Sequence, residues 1–170
     1  VNVCFSGLGG QGISLLGLVL GEAAARSGHN ALQTQSYGAE ARGGASYSIV
    51  IVSKERILDI APDELDLLVA MSQPAHDRFS GMLGAGGRLF YESELVRPAG
   101  PGGLGIPATS LSRRHLGKEL YANMVMLGFF VREGRAVDAA RAREAVAACV
   151  PERTVGDNLK AFEVGYGHEP

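Results

Sequence analysis

The chain opens on Val1-Asn2-Val3-Cys4-Phe5-Ser6, passes directly into Gly7-Leu8-Gly9-Gly10-Gln11-Gly12, and continues with apolar residues at helical spacing. A buried strand, a glycine turn and a helix in that order constrain the fold more than any other feature. The G-x-G-x-x-G spacing allows a tight turn at Gly7, close backbone approach at Gly9 and helix–strand contact at Gly12. It also leaves unpaired helix amides beside the turn, which favour an anion. In an α/β sheet such a loop lies at the carboxyl edge.

Ile13, Leu16, Val19 and Leu20, followed by Ala23 and Ala24, form one face of a helix that Gly28 stops. Gly17 and Gly21 cost that helix propensity, and their spacing predicts close approach of a strand or a partner helix. Further strands are expected over 31–35, 45–52, 65–70 and 88–91. The run Ile49-Val50-Ile51-Val52 predicts a strand covered on both faces. Pro74 opens a helix expected to reach about residue 83, with Gly84, Gly86 and Gly87 as its stop. Residues 98–107 read as a turn-rich connection around one short strand. Helices follow over 111–116, 119–133, 137–149 and 154–166, the last with Thr154 and Asp157 as a relative of the capping box. At 170 residues the chain suffices for one well-packed core. The expected architecture is α/β: a single Rossmann-like three-layer domain over residues 1–170, with a mostly parallel sheet and a helical carboxyl-terminal part.

A formal charge of −2 gives no field for nucleic acid. Cys4 and Cys149 supply neither a disulfide framework nor the four thiolates that an iron–sulfur cluster usually takes, and both read as small buried hydrophobes. The histidines show no ligand spacing, so no metal is expected. No apolar stretch approaches the ~18 residues of a membrane span, and no basic segment precedes the first apolar one, so a cytoplasmic protein without membrane contact is expected.

Three readings of the glycine loop stay open: a dinucleotide held by this chain, an anionic or polar cofactor in a shared site, or a structural turn. Against the first, a nicotinamide site wants an acidic residue about 20 positions on, and strand two ends in Gln33-Thr34-Gln35-Ser36. A phosphate-binding lysine is missing too. Against the third, Gln11 is a polar side chain at the helix mouth able to donate and accept at once. A second polar, glycine-rich stretch, residues 34–46, should emerge at the same sheet edge. Its Arg42 has the planar fork that grips phosphate or carboxylate; the blander reading is a turn with a Glu40–Arg42 pair, worth less than about 1 kcal/mol. His76 and Asp77 read as a satisfied surface pair. Asn123 heads an intensely apolar helix that is either buried core or partly covered by another subunit, because a small domain lacks the interior to surround it.

The ordered motifs Gly7-Leu8-Gly9-Gly10-Gln11-Gly12, Ser36-Tyr37-Gly38-Ala39-Glu40-Ala41-Arg42-Gly43-Gly44, Asp66-Leu67-Leu68-Val69-Ala70 and Asn123-Met124-Val125-Met126-Leu127-Gly128 resemble the gamma subunit of the 2-oxoacid:ferredoxin oxidoreductases. The resemblance spans residues 1 to about 150. It implies a non-autonomous subunit of an enzyme that oxidatively decarboxylates a 2-oxoacid, usually to an acyl-CoA. Thiamine diphosphate, iron–sulfur clusters and coenzyme A belong to the whole complex, and none is held by this chain alone. The implied partners are alpha- and beta-type catalytic subunits and a ferredoxin-like delta subunit, with ferredoxin as electron acceptor. By the same resemblance Gly9, Gly10, Gln11, Gly12, Tyr37, Glu40, Arg42, Gly43 and Gly44 line a cofactor-facing or subunit-facing wall, with no catalytic acid, base or nucleophile among them. The competing readings are a stand-alone dinucleotide-binding oxidoreductase and a non-catalytic assembly module.

Overall fold

The computed structural model describes residues 1–36, 45–100 and 102–170. The strands are β1 (Asn2–Leu8), β2 (Asn30–Gln35), β3 (Ala45–Ser53), β4 (Leu65–Ala70), β5 (Leu83–Glu92) and β6 (Leu104–Ile106). The helices are α1 (Ile13–Arg26), α2 (Gln73–Phe79), α3 (Ala108–Leu116), α4 (Ala122–Gly134), α5 (Ala139–Cys149) and α6 (Val155–Tyr166). Among the described residues the strands form one sheet in the order β2-β3-β1-β4-β5-β6. It is mostly parallel, as expected, because β3 alone runs against the other five.

The period of two in β1 divides the core. Val3 and Phe5 face a cluster built with α1, α4, α5 and α6, while Cys4 faces a smaller cluster with Phe79 of α2. On the thicker side Phe130 of α4 meets Phe5 and Phe90 edge-on, each at 5.3 Å between ring centres. α1 lies close on the sheet at Gly17, where a methyl group would overlap the Ser48 hydroxyl of β3. At Gly21 a methyl would make only ordinary contact with Ala31, at 3.9 Å. The close approach predicted for both glycines therefore belongs to Gly17.

Every residue of α4 from Ala122 to Val131 is buried, and this chain does the covering. Cover by another subunit is thus not needed. α6, in a stretch to which the motifs gave no role, crosses α4 at two glycines. A methyl on Gly128 would strike the Phe162 carbonyl oxygen, and one on Gly165 the Val125 carbonyl oxygen. Without side chains there, the two helices approach backbone to backbone, and α4 needs no further partner.

Two local expectations change. The helix opened by Pro74 ends at Phe79, is followed by a short 3-10 turn, and β5 begins at Leu83. Gly84, Gly86 and Gly87 are no helix stop. Between the pairs Leu65↔Leu83 and Leu67↔Arg88, β4 advances two residues and β5 five, so three extra residues bulge out of β5. Gly86 takes φ +90 in this bulge, and a methyl on Gly87 would come within 2.9 Å of the Leu65 carbonyl oxygen. Thr154 forms no side-chain cap on α6. Its hydroxyl donates to the Pro151 carbonyl, and Asp157 instead accepts from the Tyr121 hydroxyl at 2.9 Å.

Candidate functional site

β1 and β4 are neighbours and parallel, but the chain leaves them toward opposite faces: β1 into α1, on the thicker side, and β4 into α2. That makes a topological switch point, where an open α/β sheet usually takes its ligand. Here Gln11 closes it. Its Oε1 accepts from the Leu8 amide at 2.6 Å, and its Nε2 donates to the Met71 carbonyl at 3.1 Å. Gln11 does donate and accept at once, but to its own chain. Gly7 is required beneath it: a methyl there would lie 2.5 Å from Gln11 Oε1 and 2.7 Å from Ile13 Cδ1.

A dinucleotide fits poorly on a second count. Strand two should lie beside strand one so that its end reaches the ribose. In this sheet β3 separates β2 from β1, so the end of β2 lies two strand spacings from β1, about 9.5 Å, instead of one. The absence of a carboxylate from Gln33-Thr34-Gln35-Ser36 agrees with this geometry.

Gly12 holds the left-handed conformation, φ 72, and starts α1 with no side-chain cap and no acid in the first turn. A methyl at Gly12 would overlap Nδ2 of Asn123. Asn123 is 7% exposed, and its Oδ1 accepts from the Met124 amide at 2.9 Å. The loop and Asn123 separate two clefts. The larger, about 510 Å³, holds Glu94, Arg113 and Glu119. The smaller, about 250 Å³, runs past Gly12, Leu15, Leu120 and Val150. Leu8, Leu95 and Leu120 stand exposed around this edge.

The charges in the larger cleft are engaged. Arg113 pairs with Glu119. Glu94 receives the Ser110 hydroxyl at 2.7 Å and its amide at 3.2 Å. Behind it Glu92 is fully buried at the end of β5; its Oε2 accepts from the Thr109 amide at 2.8 Å and the Thr109 hydroxyl at 3.0 Å. Burial pushes the Glu92 carboxyl above its usual range, partly offset by these hydrogen bonds. The two glutamates thus cap α3, and the favourable field at its amino terminus is already used. The sequence reading missed Glu92. The available signal was a lone carboxylate ending the apolar strand Leu89-Phe90-Tyr91.

The second motif, with Tyr37, Glu40, Arg42, Gly43 and Gly44, lies outside the described residues. Its flanks can be placed. Ser36 follows β2, and Ala45 pairs with Leu8, so both stand at the edge that carries the glycine loop. His76 and Asp77 do pair, Nδ1 to Oδ1 at 2.9 Å, although His76 is buried and only Asp77 is exposed. That bond, with a second from Gln73, holds the Asp77 carboxyl below its usual range. The Cys4 thiol is buried and pushed up to about 12 by that burial, and Cys149 is half-buried at the edge of the main core. Among the described residues no group of three histidine, cysteine or acidic side chains could hold a metal. No helix there is long and apolar enough to cross a membrane.

Residues 2–168 match the family model described as pyruvate ferredoxin/flavodoxin oxidoreductase. This chain belongs to that family. It is 39% identical to the 2-oxoglutarate synthase subunit KorC of Methanocaldococcus jannaschii, over 97% of this chain and 91% of the relative. The ketoisovalerate oxidoreductase subunit VorA of Methanothermobacter thermautotrophicus is 36% identical over 97% of this chain, which spans 35% of that longer protein. Among solved structures, the keto/oxoacid ferredoxin oxidoreductase gamma subunit of Geobacter sulfurreducens superposes with a TM-score of 0.85 at 40% identity, covering 97% of this chain and 95% of that one. The 2-oxoglutarate:ferredoxin oxidoreductase of Magnetococcus marinus shares the fold, with a TM-score of 0.82 at 22% identity over 98% of this chain and 30% of that one. The gamma-subunit resemblance of the motifs is borne out, and the relatives are subunits of enzyme complexes.

Proposed function

We propose that this chain, as one gamma-type unit over residues 1–170, is the clusterless gamma subunit of a multisubunit 2-oxoacid:ferredoxin oxidoreductase. The observation that carries the reading is its near end-to-end correspondence with the KorC and gamma subunits. The site chemistry supports it. The charged groups lining the larger cleft beside the loop are held in internal bonds, and Gln11 fills the crevice where a nucleotide would sit. Cys4 and Cys149 do not fit a cluster: one thiol is buried with its proton strongly retained, and no ligating neighbours accompany them among the described residues.

In this reading the chain meets alpha- and beta-type catalytic subunits at the carboxyl edge, through the loop of Gly9, Gly10, Gln11 and Gly12 and the stretch of Tyr37, Glu40, Arg42, Gly43 and Gly44. Coenzyme A is the cofactor expected nearest that wall. Thiamine diphosphate would supply the carbanion chemistry and the clusters the electron path, both on other subunits. This chain's part is positioning. Gln11 fixes the loop against β4, Glu92 and Glu94 lock α3 on the sheet, and the exposed Leu8, Leu95 and Leu120 offer apolar contact to a partner.

The test is reconstitution. The isolated chain should show no 2-oxoacid-dependent ferredoxin reduction, and addition of its catalytic partners should restore it. Turnover by the chain alone would overturn the assignment. Micromolar binding of NAD, NADP or FAD to the lone chain, measured by calorimetry, would support the stand-alone oxidoreductase instead.

A further inference from the structure

The sheet ends on two unlike edges. Open edges are ordinarily guarded by charge, proline, a bulge or brevity, because their unpaired amides and carbonyls invite another strand. β6, at one end, is three residues long and is followed by Pro107. β2, at the other, carries none of these guards. Its six residues include no charge and no proline, and it keeps register with β3 without a bulge. No strand lies on its outer side among the described residues.

The pattern of that edge follows from one bond. The Ser36 amide donates to the Tyr47 carbonyl at 3.1 Å, across the register that β2 shares with β3. Alternation along an antiparallel ladder then turns the peptide groups of Asn30, Leu32 and Thr34 toward β3, and those of Ala31 and Gln33 outward. An antiparallel copy of the same strand, centred on Leu32, meets this pattern in full. Ala31 stands opposite Gln33 of the other copy, and each such pair exchanges two main-chain hydrogen bonds. Leu32 then faces its own counterpart at a position without ladder bonds, with Cα atoms about 4.5 Å apart. Leu32 already packs on the smaller core cluster, so the contact extends that cluster.

α1 supports the same side. Gln33 Nε2 donates to the Ser14 carbonyl at 3.0 Å, and Gly21 lies against Ala31. Leu18, four residues after Ser14 and three before Gly21, shares that side of the helix and is 48% exposed. We propose that two copies of this chain join through β2, antiparallel about a two-fold axis at Leu32, with Leu18 flanking the joint. A copy suits this edge because an uncharged strand gives no like-charge repulsion when it meets itself. Five paired residues run about 17 Å, and such a joint buries on the order of 400 Å² a side, the low end for specific contacts, so the dimer is weak and reversible. This goes beyond the subunit assignment and does not depend on it, since self-association of the isolated chain and turnover of a reconstituted complex are separate measurements.

The test is sedimentation equilibrium of the full chain, with amide hydrogen exchange at low and high concentration. Dimer should appear at on the order of 100 µM chain. The Ala31 and Gln33 amides should then exchange more slowly, while those of Leu32 and Thr34, already bonded to β3, change little. Ala31→Lys, at an exposed position, should weaken association at least about tenfold. In a Cys149→Ser background, Leu32→Cys should oxidise to a covalent dimer, because its Cα separation lies within disulfide range. Thr34→Cys should not, because its counterpart lies about 14 Å away along the pair. The proposal is overturned if the chain stays monomeric to about 1 mM, well above the range expected for such a contact. It is equally overturned if a dimer leaves the Ala31 and Gln33 amides unprotected, if Thr34→Cys cross-links as readily as Leu32→Cys, or if folded Ala31→Lys associates like the parent. Should Ala31→Lys fail to fold, the exchange and cross-linking results decide.

Discussion

Two pairs of glycines hold this molecule together in different ways. At the crossing of α4 and α6, Gly128 and Gly165 leave space that the opposing helix fills with its own backbone carbonyls. At the sheet edge, Gly7 and Gly12 leave space that polar side-chain ends fill, Gln11 Oε1 at one and Asn123 Nδ2 at the other. A carbonyl inside a helix cannot move without the helix, whereas a carboxamide can swing on its side chain. The first pair therefore makes core, and the second makes a joint closed by side-chain ends.

Gly165→Ala tests the rigid pair and should have the largest effect. Forcing a methyl onto the Val125 carbonyl should destabilise the fold by about 3 kcal/mol or more in urea unfolding. A loss of under about 0.5 kcal/mol would mean the helices can slide apart, and the contrast would fail. Gly12→Ala should cost less, about 1–2 kcal/mol, from the left-handed backbone angle alone. Asn123 should swing aside to admit the methyl, so the Asn123 side-chain amide signal should move while the α4 core signals stay. Gln11→Ala should cost about 1 kcal/mol, since it removes two hydrogen bonds of which one lies at an exposed amide.

A smaller effect than these concerns Glu92. The folded protein retains its proton to higher pH than the unfolded chain does, because burial raises its pKa. The stabilisation from that proton is full below the ordinary value of 4.5 and is lost as pH rises through the folded value. Relative to Glu92→Gln, the native chain should thus lose stability with rising pH across that window. An unchanged difference between the two from pH 4 to pH 7 would count against a desolvated carboxyl. Surface pairs should matter least: Arg143→Ala, which breaks a contact with Glu163, should change stability by less than about 1 kcal/mol.

The elements that could be read from the chain were those with a strong local period. β1, α1, β4 and α5 fall close to where alternation or helical spacing places them. The glycine run after Met82 misled because a glycine cluster signals a helix stop and a strand bulge equally well; only pairing with β4 separates them. Residues 122–131 read as too apolar for a small domain, and α6 looked uninformative. The explanation lies in a contact between residues more than thirty positions apart, which no local pattern reveals. Gln11 was conspicuous as a residue, but its partner Met71 is sixty positions away.

Sequence alone determined the α/β character, the glycine loop between β1 and α1, the lack of a cluster-binding cysteine set and, through the order of its motifs, the family. Local periodicity and residue chemistry are written along the chain, so these survive without coordinates. Tertiary structure alone decided that β3 runs reversed between β1 and β2, that Gln11 closes the switch-point crevice, and that the Asn123 side chain packs against Gly12. Each of these depends on strand neighbours and helix ends meeting across long separations, and that information exists only once the chain has folded.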